Sequence, residues 1–175
     1  MALLIMAKLL VGWLVADFIG GVLHWLEDRV LTEDTPLLGT HVVASNRQHH
    51  AEPLAFVAKS FLDRNGTTWI TAGAVAFLWW LLLGSSWVWA GAVLGGMLTS
   101  MVHYLTHLAP SPGSLLRALQ DVGLIQSVRQ HAQHHRPPAD RRYCVLTDWL
   151  NPLLDHLRFW CLLERLLGVT PEQAA

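Results

Sequence analysis

Three long runs of apolar residues dominate the hydrophobic pattern of the chain. They cover residues 3 to about 25, 67–83 and 87 to about 105, and each is close to the roughly 20 residues that an α-helix needs to cross a bilayer. A turn of Gly84, Ser85 and Ser86 separates the last two runs. The pattern therefore predicts three membrane-spanning helices, of which the second and third form a hairpin.

A cleaved signal peptide is the alternative interpretation of the first run. The run is too long for such a peptide and has no clear small-x-small cleavage site before Asp17, which favours a retained helix. In the third run, Gly91, Gly95 and Gly96 are compatible both with close helix packing and with the general tolerance of glycine in lipid.

The rest of the chain predicts shorter helices. Ser114 is a candidate N-cap for a helix that continues through Val128 and ends before Pro137. Residues 145–167 carry too many charged side chains for a span and predict an interfacial amphipathic helix. We therefore predict an all-α membrane protein with about three transmembrane helices plus cytoplasmic and interfacial amphipathic helices, folded as one domain over residues 1–175.

Basic residues predict the orientation of these helices. After Lys8, every Arg and Lys lies between the first and second runs or after the third, and such residues favour the cytoplasmic side. Residues 29–64 and the tail after residue 105 should therefore both be cytoplasmic. The membrane would be the plasma or inner membrane of a bacterium, or the endoplasmic reticulum of a eukaryote.

Composition supports a membrane protein and excludes some partners. The chain has 53% hydrophobic and 14% charged residues, which lies outside the usual range for a soluble domain. A formal net charge of −1 and the lack of any nucleic-acid motif argue against a nucleic-acid partner. Cys144 and Cys161 lie too far apart to suggest a zinc module or a disulfide framework.

Histidines carry the candidate chemistry. All ten lie at the predicted cytoplasmic end of a helix or beyond it. His103 and His107 stand four residues apart, and His131, His134 and His135 have spacings of three and four, so each group projects from one helix face.

The remaining histidines divide into candidates and spares. His49 and His50 form an adjacent pair in the first cytoplasmic segment, and His24 lies at the end of the first helix. His41 and His156 are interpreted as ordinary interfacial residues. The predicted metal-ligating and catalytic set is His24, His49, His50, His103, His107, His131, His134 and His135.

Eight imidazoles indicate two metal ions, because a zinc site takes about four ligands. Imidazole suits iron, copper, nickel and zinc alike, so the reaction must decide between them. Hydrolysis by zinc would need a water path and usually a general base, whereas removal of hydrogen from an unactivated alkyl chain needs an oxygen-activating redox metal. Burial of the site in lipid favours the second reaction. We predict two iron ions with O2 as co-substrate, and zinc as a replacement for iron in purified protein.

Four polar residues are predicted to orient the imidazoles from outside the ligand set. Asp17 lies inside a predicted span, where an acid is costly and therefore functional by default. Asp28 lies near the end of the same helix, and Asn151 and Asp155 would share one face of a later helix. Asn151 is equally typical of a helix N-cap, because a proline follows it.

The substrate should enter from the lipid. An alkyl chain must reach the metals while its head group stays at the interface, which predicts an apolar slot between the membrane helices. The residues at the right depth are equally suited to helix packing. They are Val22, Leu23, Thr99, Ser100 and Val102.

The histidine boxes resemble those of membrane fatty acyl desaturases, and a longer series of residues is similar to the plasmanylethanolamine desaturase family, the CarF and Kua-type lipid desaturases. The matching residues occur in the same order along nearly the whole chain: Asp17, Phe18, Gly21, His24, Trp25, Asp28, Arg47, His49, His50, Pro53, Asn65, Gly66, His103, His107, His131, His134, His135, Tyr143, Cys144, Thr147, Trp149, Leu150, Asn151 and Glu164. Gln48, Asp148 and His41 depart from the family pattern.

The resemblance implies a di-iron enzyme that uses O2 and a separate electron donor of the cytochrome b5 or ferredoxin type. The implied product is the vinyl ether double bond of plasmalogens, made from a plasmanyl (1-O-alkyl) phospholipid in the membrane. Acyl desaturation or hydroxylation of a phospholipid by the same site are alternatives within this class. A non-catalytic haem- or metal-binding membrane protein, or a zinc-dependent hydrolase or transporter, lies outside it.

Overall fold

A computed structural model describes residues 1–169 of the chain, and the regular secondary structure in this part is entirely helical. Three helices, α1 (Ala2–Arg29), α4 (Phe61–Leu83) and α5 (Trp87–Thr106), are long and apolar enough to cross a membrane. The shorter helices are α2 (Ala44–Ala51), α3 (Pro53–Ala58), α6 (Leu115–Asp121), α7 (Val128–His134), α8 (Leu150–His156) and α9 (Phe159–Leu167). The three predicted spans are confirmed, and α1 and α4 extend by a turn or more beyond their apolar runs.

The α1 and α5 helices pack in backbone contact. A Cβ atom on Gly12 would lie 2.0 Å from the carbonyl oxygen of Val88, and one on Gly91 would lie 2.2 Å from that of Leu9. Only glycine allows such an approach. Gly91 therefore serves packing, and α5 lies between α1 and its hairpin partner α4.

The predicted continuous helix after Ser114 is wrong in part. The Ser114 hydroxyl does cap α6, since it accepts a hydrogen bond from the Arg117 N–H at 3.2 Å. However, α6 ends at Asp121, Gly123 adopts a left-handed backbone with φ +72°, and α7 begins after Ser127. This break turns the chain so that α7 returns to the end of α5.

The predicted single helix over residues 145–167 is also wrong. Residues 145–149 are not helical, and α8 and α9 are separated by Arg158, whose φ is 51°. The ion pair between Arg29 and Glu164, at 2.7 Å, ties α9 to the end of α1. Trp160 on α9 is buried against the same region. Tertiary contacts therefore divide a segment whose own composition favours one helix.

Candidate metal centre

Five imidazoles converge at one end of the helical bundle, and they come from α2, from α5 and α7, and from the residue that follows each of these last two helices. They are His49, His103, His107, His131 and His135. The Nε2 atoms of His103 and His49 are 2.9 Å apart, and the Nε2 atom of His131 lies 2.9 Å from those of both His107 and His135. Two ligands at right angles on a metal, each about 2.1 Å from it, would be ~3 Å apart.

A second cluster adjoins the first and consists of His24, His50, His134 and Asp28. The Nε2 atoms of His24 and His134 are 3.2 Å apart. The carboxylate of Asp28 lies 3.3 Å from the Nε2 atoms of His50 and His134, and 3.6 Å from that of His24. Asp28 therefore lies among the ligand atoms rather than behind them, a position that its spacing of four residues from His24 could have suggested.

The hydrogen bonds of His24 and His134 leave lone pairs facing each other. The Nδ1 atom of His24 is 3.0 Å from the Tyr143 carbonyl oxygen, and that of His134 is 2.8 Å from the Arg141 carbonyl oxygen. A carbonyl only accepts, so Nδ1 carries the proton and the Nε2 atom of each neutral ring carries a lone pair. Two lone pairs and a carboxylate at this distance repel one another unless a cation or protons lie between them. The donor set therefore fits a metal ion.

The five-histidine cluster leads to the same conclusion. The His131 Nε2 atom touches two other ring nitrogens, and because a ring nitrogen holds either one proton or one lone pair, hydrogen bonds do not readily satisfy both contacts. The Nε2 atoms of His24 and His103 face different clusters, which does not favour a haem held between these two histidines.

Burial keeps four imidazoles outside the membrane helices neutral, those of His49, His107, His131 and His135. Burial, with neighbouring imidazoles, lowers the pKa of His49 to about 2, of His107 to about 4 and of His135 to about 3. The pKa of His131 is lowered for the same reasons. A neutral imidazole is the form that binds a metal, so these rings are ready to ligate at neutral pH.

The three other residues predicted to orient imidazoles do not touch them. They hold the strap, which we define as residues 141–147. The carboxylate of Asp17 accepts hydrogen bonds from the N–H groups of Leu146 and Thr147, at 2.7 and 3.0 Å, and from the Thr147 hydroxyl at 2.6 Å. The side chain of Asn151 bonds both the N–H and the carbonyl of Cys144, at 3.0 and 2.7 Å.

Asp155 holds the other end of the strap through an ion pair with Arg142 at 2.8 Å. The N-cap alternative for Asn151 is wrong, because α8 begins at Leu150 with Trp149 as its N-cap. Since the carbonyls of residues 141 and 143 accept from His134 and His24, Asp17, Asn151 and Asp155 act on the imidazoles through the strap.

A cavity of about 230 Å³ runs from the histidines between α1 and α4, with α5 contributing to its wall. Leu23, Thr99 and Ser100 line it as predicted. Val22 and Val102 do not, because Val22 packs towards Trp25 and Val102 is buried in a separate apolar cluster. The sequence did not indicate that other small and apolar residues line the cavity, and these include Ala16, Ile19, Gly20, Ala72, Val75 and Gly96.

The two spare histidines lie outside both clusters. His41 and His156 are exposed, and neither belongs to a group of candidate ligands. His41 does line the cavity.

Comparison with known proteins identifies the family. A model described as lipid desaturase domain matches residues 13–173. A plasmanylethanolamine desaturase from Myxococcus xanthus is 32% identical over 97% of this chain and 64% of its own length. Plasmanylethanolamine desaturase 1 of Mus musculus is 29% identical over 97% of this chain and 68% of its own length.

This chain covers a smaller share of a plant relative. Fatty acid desaturase 4, chloroplastic, of Arabidopsis thaliana is 32% identical over 92% of this chain and 52% of its own length. The chain thus spans between about half and two thirds of these relatives. No solved structure matches it. The resemblance to the plasmanylethanolamine desaturases is confirmed, and because the family model covers almost the whole chain, this protein belongs to the lipid desaturase family.

Proposed function

We propose that this chain is a di-iron lipid desaturase that uses O2 and electrons from a separate protein to introduce a double bond into a membrane phospholipid. The observation that carries the proposal is the position of two adjoining donor clusters at the end of an apolar cavity. His24, His49 and His103 belong to the clusters and also line the cavity. A lipid chain in the cavity would therefore lie against the ligand set.

The eight histidines and Asp28 would hold two iron ions, which when bound supply the activation of O2 needed to remove hydrogen from an alkyl carbon. The Asp28 carboxylate offsets part of the positive charge that neutral imidazoles leave on the ions. The strap fixes the rings of His24 and His134. Zinc can replace iron in these donor sets, so zinc in purified protein would not identify the working metal.

The cavity favours a reacting bond close to the lipid head group. It extends along α4 from Arg64 to Trp79, a span of about 22 Å at 1.5 Å per residue, and the histidines lie at the Arg64 end. A lipid that enters the cavity tail first would keep the first carbons of its alkyl chain beside the metals and the rest of that chain along α4. This fits formation of a vinyl ether from a 1-O-alkyl phospholipid, as the names of the Myxococcus xanthus and Mus musculus relatives suggest.

Acyl desaturation is the second candidate, because the Arabidopsis thaliana relative is named a fatty acid desaturase. The same site could also hydroxylate the carbon that it activates. We further propose that residues 1–175 form one domain, that the histidine end faces the cytoplasm, and that the electron donor is of the cytochrome b5 or ferredoxin type. The basic residues around the histidine end support that orientation.

Lipid mass spectrometry on cells with and without the protein tests the proposal. Expression should produce lipids two mass units lighter. Acid-labile vinyl ethers would support the 1-O-alkyl substrate, and acyl double bonds would support acyl desaturation. Addition of 16 mass units would identify hydroxylation instead. His131→Ala should abolish the product, whereas His156→Ala, at an exposed histidine outside both clusters, should not.

Metal analysis completes the test. Active protein should contain about two iron ions per chain, and metal-free protein should regain activity with ferrous iron but not with zinc. Iron-loaded protein supplied with O2, lipid and reductant that forms no oxidised lipid would contradict the proposed function.

A further inference from the structure

The chain that follows α5 packs back along this helix as far as its middle. α5 has 20 residues and is therefore about 30 Å long, which equals the thickness of the hydrocarbon core. A Cβ atom on Gly95, near the midpoint of α5, would lie 3.4 Å from the Trp13 Cε3 atom and 3.2 Å from the Leu146 Cδ1 atom. The Trp13 indole donates a hydrogen bond to the Leu124 carbonyl at 3.2 Å. Leu124 and Leu146 therefore lie close to the midplane of the bilayer.

Both ends of the segment from residue 107 to residue 131 lie at the histidine end of the bundle. The Nε2 atoms of His107 and His131 are 2.9 Å apart. Leu124 lies level with Gly95, which precedes His103 on α5 by eight residues and is therefore about 12 Å deeper in the membrane. α5 is no longer than the hydrocarbon core is thick, so it has to span the core and cannot leave this segment in water. The segment therefore enters the membrane and returns on the same side.

The non-helical turn at the deep end of this segment has its backbone groups bonded within the protein. Each N–H group of residues 122–127 donates to an acceptor in the chain. Three carbonyls of the turn, at positions 122, 124 and 126, accept hydrogen bonds from side chains instead of water. The donors are Trp149, Trp13 and Gln120, at 3.0, 3.2 and 3.1 Å. Non-helical backbone at membrane depth requires such internal partners, because lipid offers none.

The outer surface of the segment also fits a hydrocarbon environment. Leu115 is 75% exposed and Val122 is 63% exposed. The two charged residues of α6, Arg117 and Asp121, form an ion pair at 2.7 Å, and pairing lowers the cost of placing charges near lipid. Exposed Arg129 lies about 3 Å along α7 from the histidine cluster, and its long side chain can extend to the head groups.

An apolar groove of about 520 Å³ lies between α5 and α6. All of its lining residues are hydrophobic, and they include Leu94, Leu98 and Leu105 of α5 and Leu116 and Leu119 of α6. Among residues 1–169, it shares no lining residue with the cavity beside the histidines. An apolar cavity does not hold ordered water, because water needs polar partners. At this depth an acyl chain is therefore the ligand that matches the groove.

We propose that residues 107–131 form a re-entrant segment in one leaflet, and that the groove beneath α6 binds an acyl chain of a membrane lipid. This lipid is a structural ligand and differs from the lipid that is oxidised, because the groove is separate from the substrate cavity. The returning arm of the segment carries His131, so the bound chain supports the helix that presents part of the ligand set. The inference does not depend on the metal or on the reaction.

Fluorescence quenching in lipid nanodiscs tests the proposal. Val122→Cys and Leu98→Cys are each introduced with Cys161→Ser and labelled with bimane, since the remaining Cys144 is buried. The discs contain phosphatidylcholine with a nitroxide either on the head group or near the end of an acyl chain. The chain-end nitroxide should quench both labels about twofold more strongly than the head-group nitroxide, because the hydrocarbon core keeps the two nitroxides at different depths.

Two reference positions calibrate the depth. A Cβ atom on Gly96 of α5 would lie 3.1 Å from the Ala72 Cβ atom, so the neighbouring Gly73 on α4 is close to the same level and is exposed. Gly73→Cys should therefore give the same quenching ratio as Val122→Cys. Asp34→Cys, in the exposed loop after α1, should be quenched more strongly by the head-group nitroxide.

Two results would overturn the proposal. A Val122→Cys label with the quenching ratio of Asp34→Cys would place the segment at the membrane surface. A Leu98→Cys label that neither lipid quenches would show that protein rather than an acyl chain covers the groove. Leu115→Cys is a second exposed position on α6, and it replaces Val122→Cys as the probe if that variant does not bind the metal content of the unmodified protein.

Discussion

At the scale of single residues, the proton positions on the imidazoles matter most. His24 and His134 each donate a ring N–H to a backbone carbonyl, so the lone pairs of their Nε2 atoms point to the same place. Asp28 adds a carboxylate there. An uncharged protein interior does not tolerate this concentration of acceptors, and a bound cation removes the conflict.

Asp28→Asn should therefore prevent the cluster of His24, His50 and His134 from holding its metal ion. Its amide keeps the size of the side chain but removes the negative charge, so we expect bound iron to fall from about two ions to about one per chain and turnover to be lost. Iron analysis of purified protein measures the change. Asp34→Asn, in an exposed loop, is the control. Asp28→Asn protein with full iron and full turnover would exclude Asp28 from the site.

Acid should destabilise the metal-free protein through histidines of the five-histidine cluster. The pKa values of His107, His135 and His49 fall from 6.5 to about 4, 3 and 2, so below pH 6.5 the unfolded chain binds more protons than the folded one. Stability should be constant above about pH 6.5 and should decrease steadily towards pH 4. Thermal unfolding of metal-free protein across this range measures the effect. A melting temperature that rises on acidification would contradict it.

At the scale of elements, the strap connects the later half of the chain to α1. Its residues from Tyr143 to Thr147 are buried, and a Cβ atom on Gly21 of α1 would lie 2.6 Å from the Cys144 Sγ atom, so the strap needs a glycine beneath it. Burial also raises the pKa of the Cys144 thiol, which keeps it protonated. The strap is therefore a structural element whose carbonyls orient two ligands.

Asp17→Asn should loosen the strap. The amide group would face two backbone N–H groups and a hydroxyl that now donate to a carboxylate, at a cost of about 3 kcal/mol. We expect a lower melting temperature and weaker metal binding, seen as faster loss of iron to a chelator. Thr147→Val removes one of the three hydrogen bonds and should cost about 1 kcal/mol. Equal iron loss from Asp17→Asn and unmodified protein would show that the strap does not position the ligands.

At the scale of the whole molecule, α5 separates α1 from α4, so that the cavity forms a groove between these two outer helices. Ser100 lines this groove, but its hydroxyl donates a hydrogen bond to the Arg64 carbonyl at 2.7 Å. A large residue at Ser100 would therefore disturb packing as well as block the groove. Gly20 is a cleaner probe, because a Cβ atom there would meet one side-chain atom, the Thr99 Cγ2 atom, at 3.9 Å.

Gly20→Phe should fill the groove and stop turnover of long-chain lipids while the protein keeps its iron. The helix has room for the substitution, so we expect little loss of stability. Gly73→Phe is the matched control, since a Cβ atom at Gly73 on α4 meets nothing within 4 Å and Gly73 does not line the cavity. Lipid mass spectrometry and iron analysis on both variants measure the outcome. Full activity of Gly20→Phe would rule out this groove as the substrate route.

Much of this molecule follows from local features of its sequence. The lengths of the apolar runs predict the three membrane helices, because a span depends only on its own residues and the thickness of the bilayer. The histidine spacings predict which residues project together from α5 and α7, because helical periodicity is also local. The order of motifs along the chain predicted the family.

Tertiary structure decided how these pieces combine. Which histidines share a cluster, and that Asp28 joins one of them, depends on contacts such as that between His24 and His134, which are 110 residues apart. The breaks at Gly123 and Arg158, the strap held by Asp17 and Asn151, and the exclusion of Val22 and Val102 from the cavity arise in the same way. Helical periodicity predicts which face of its helix a residue occupies, but only the packing of distant segments determines which residues that face contacts.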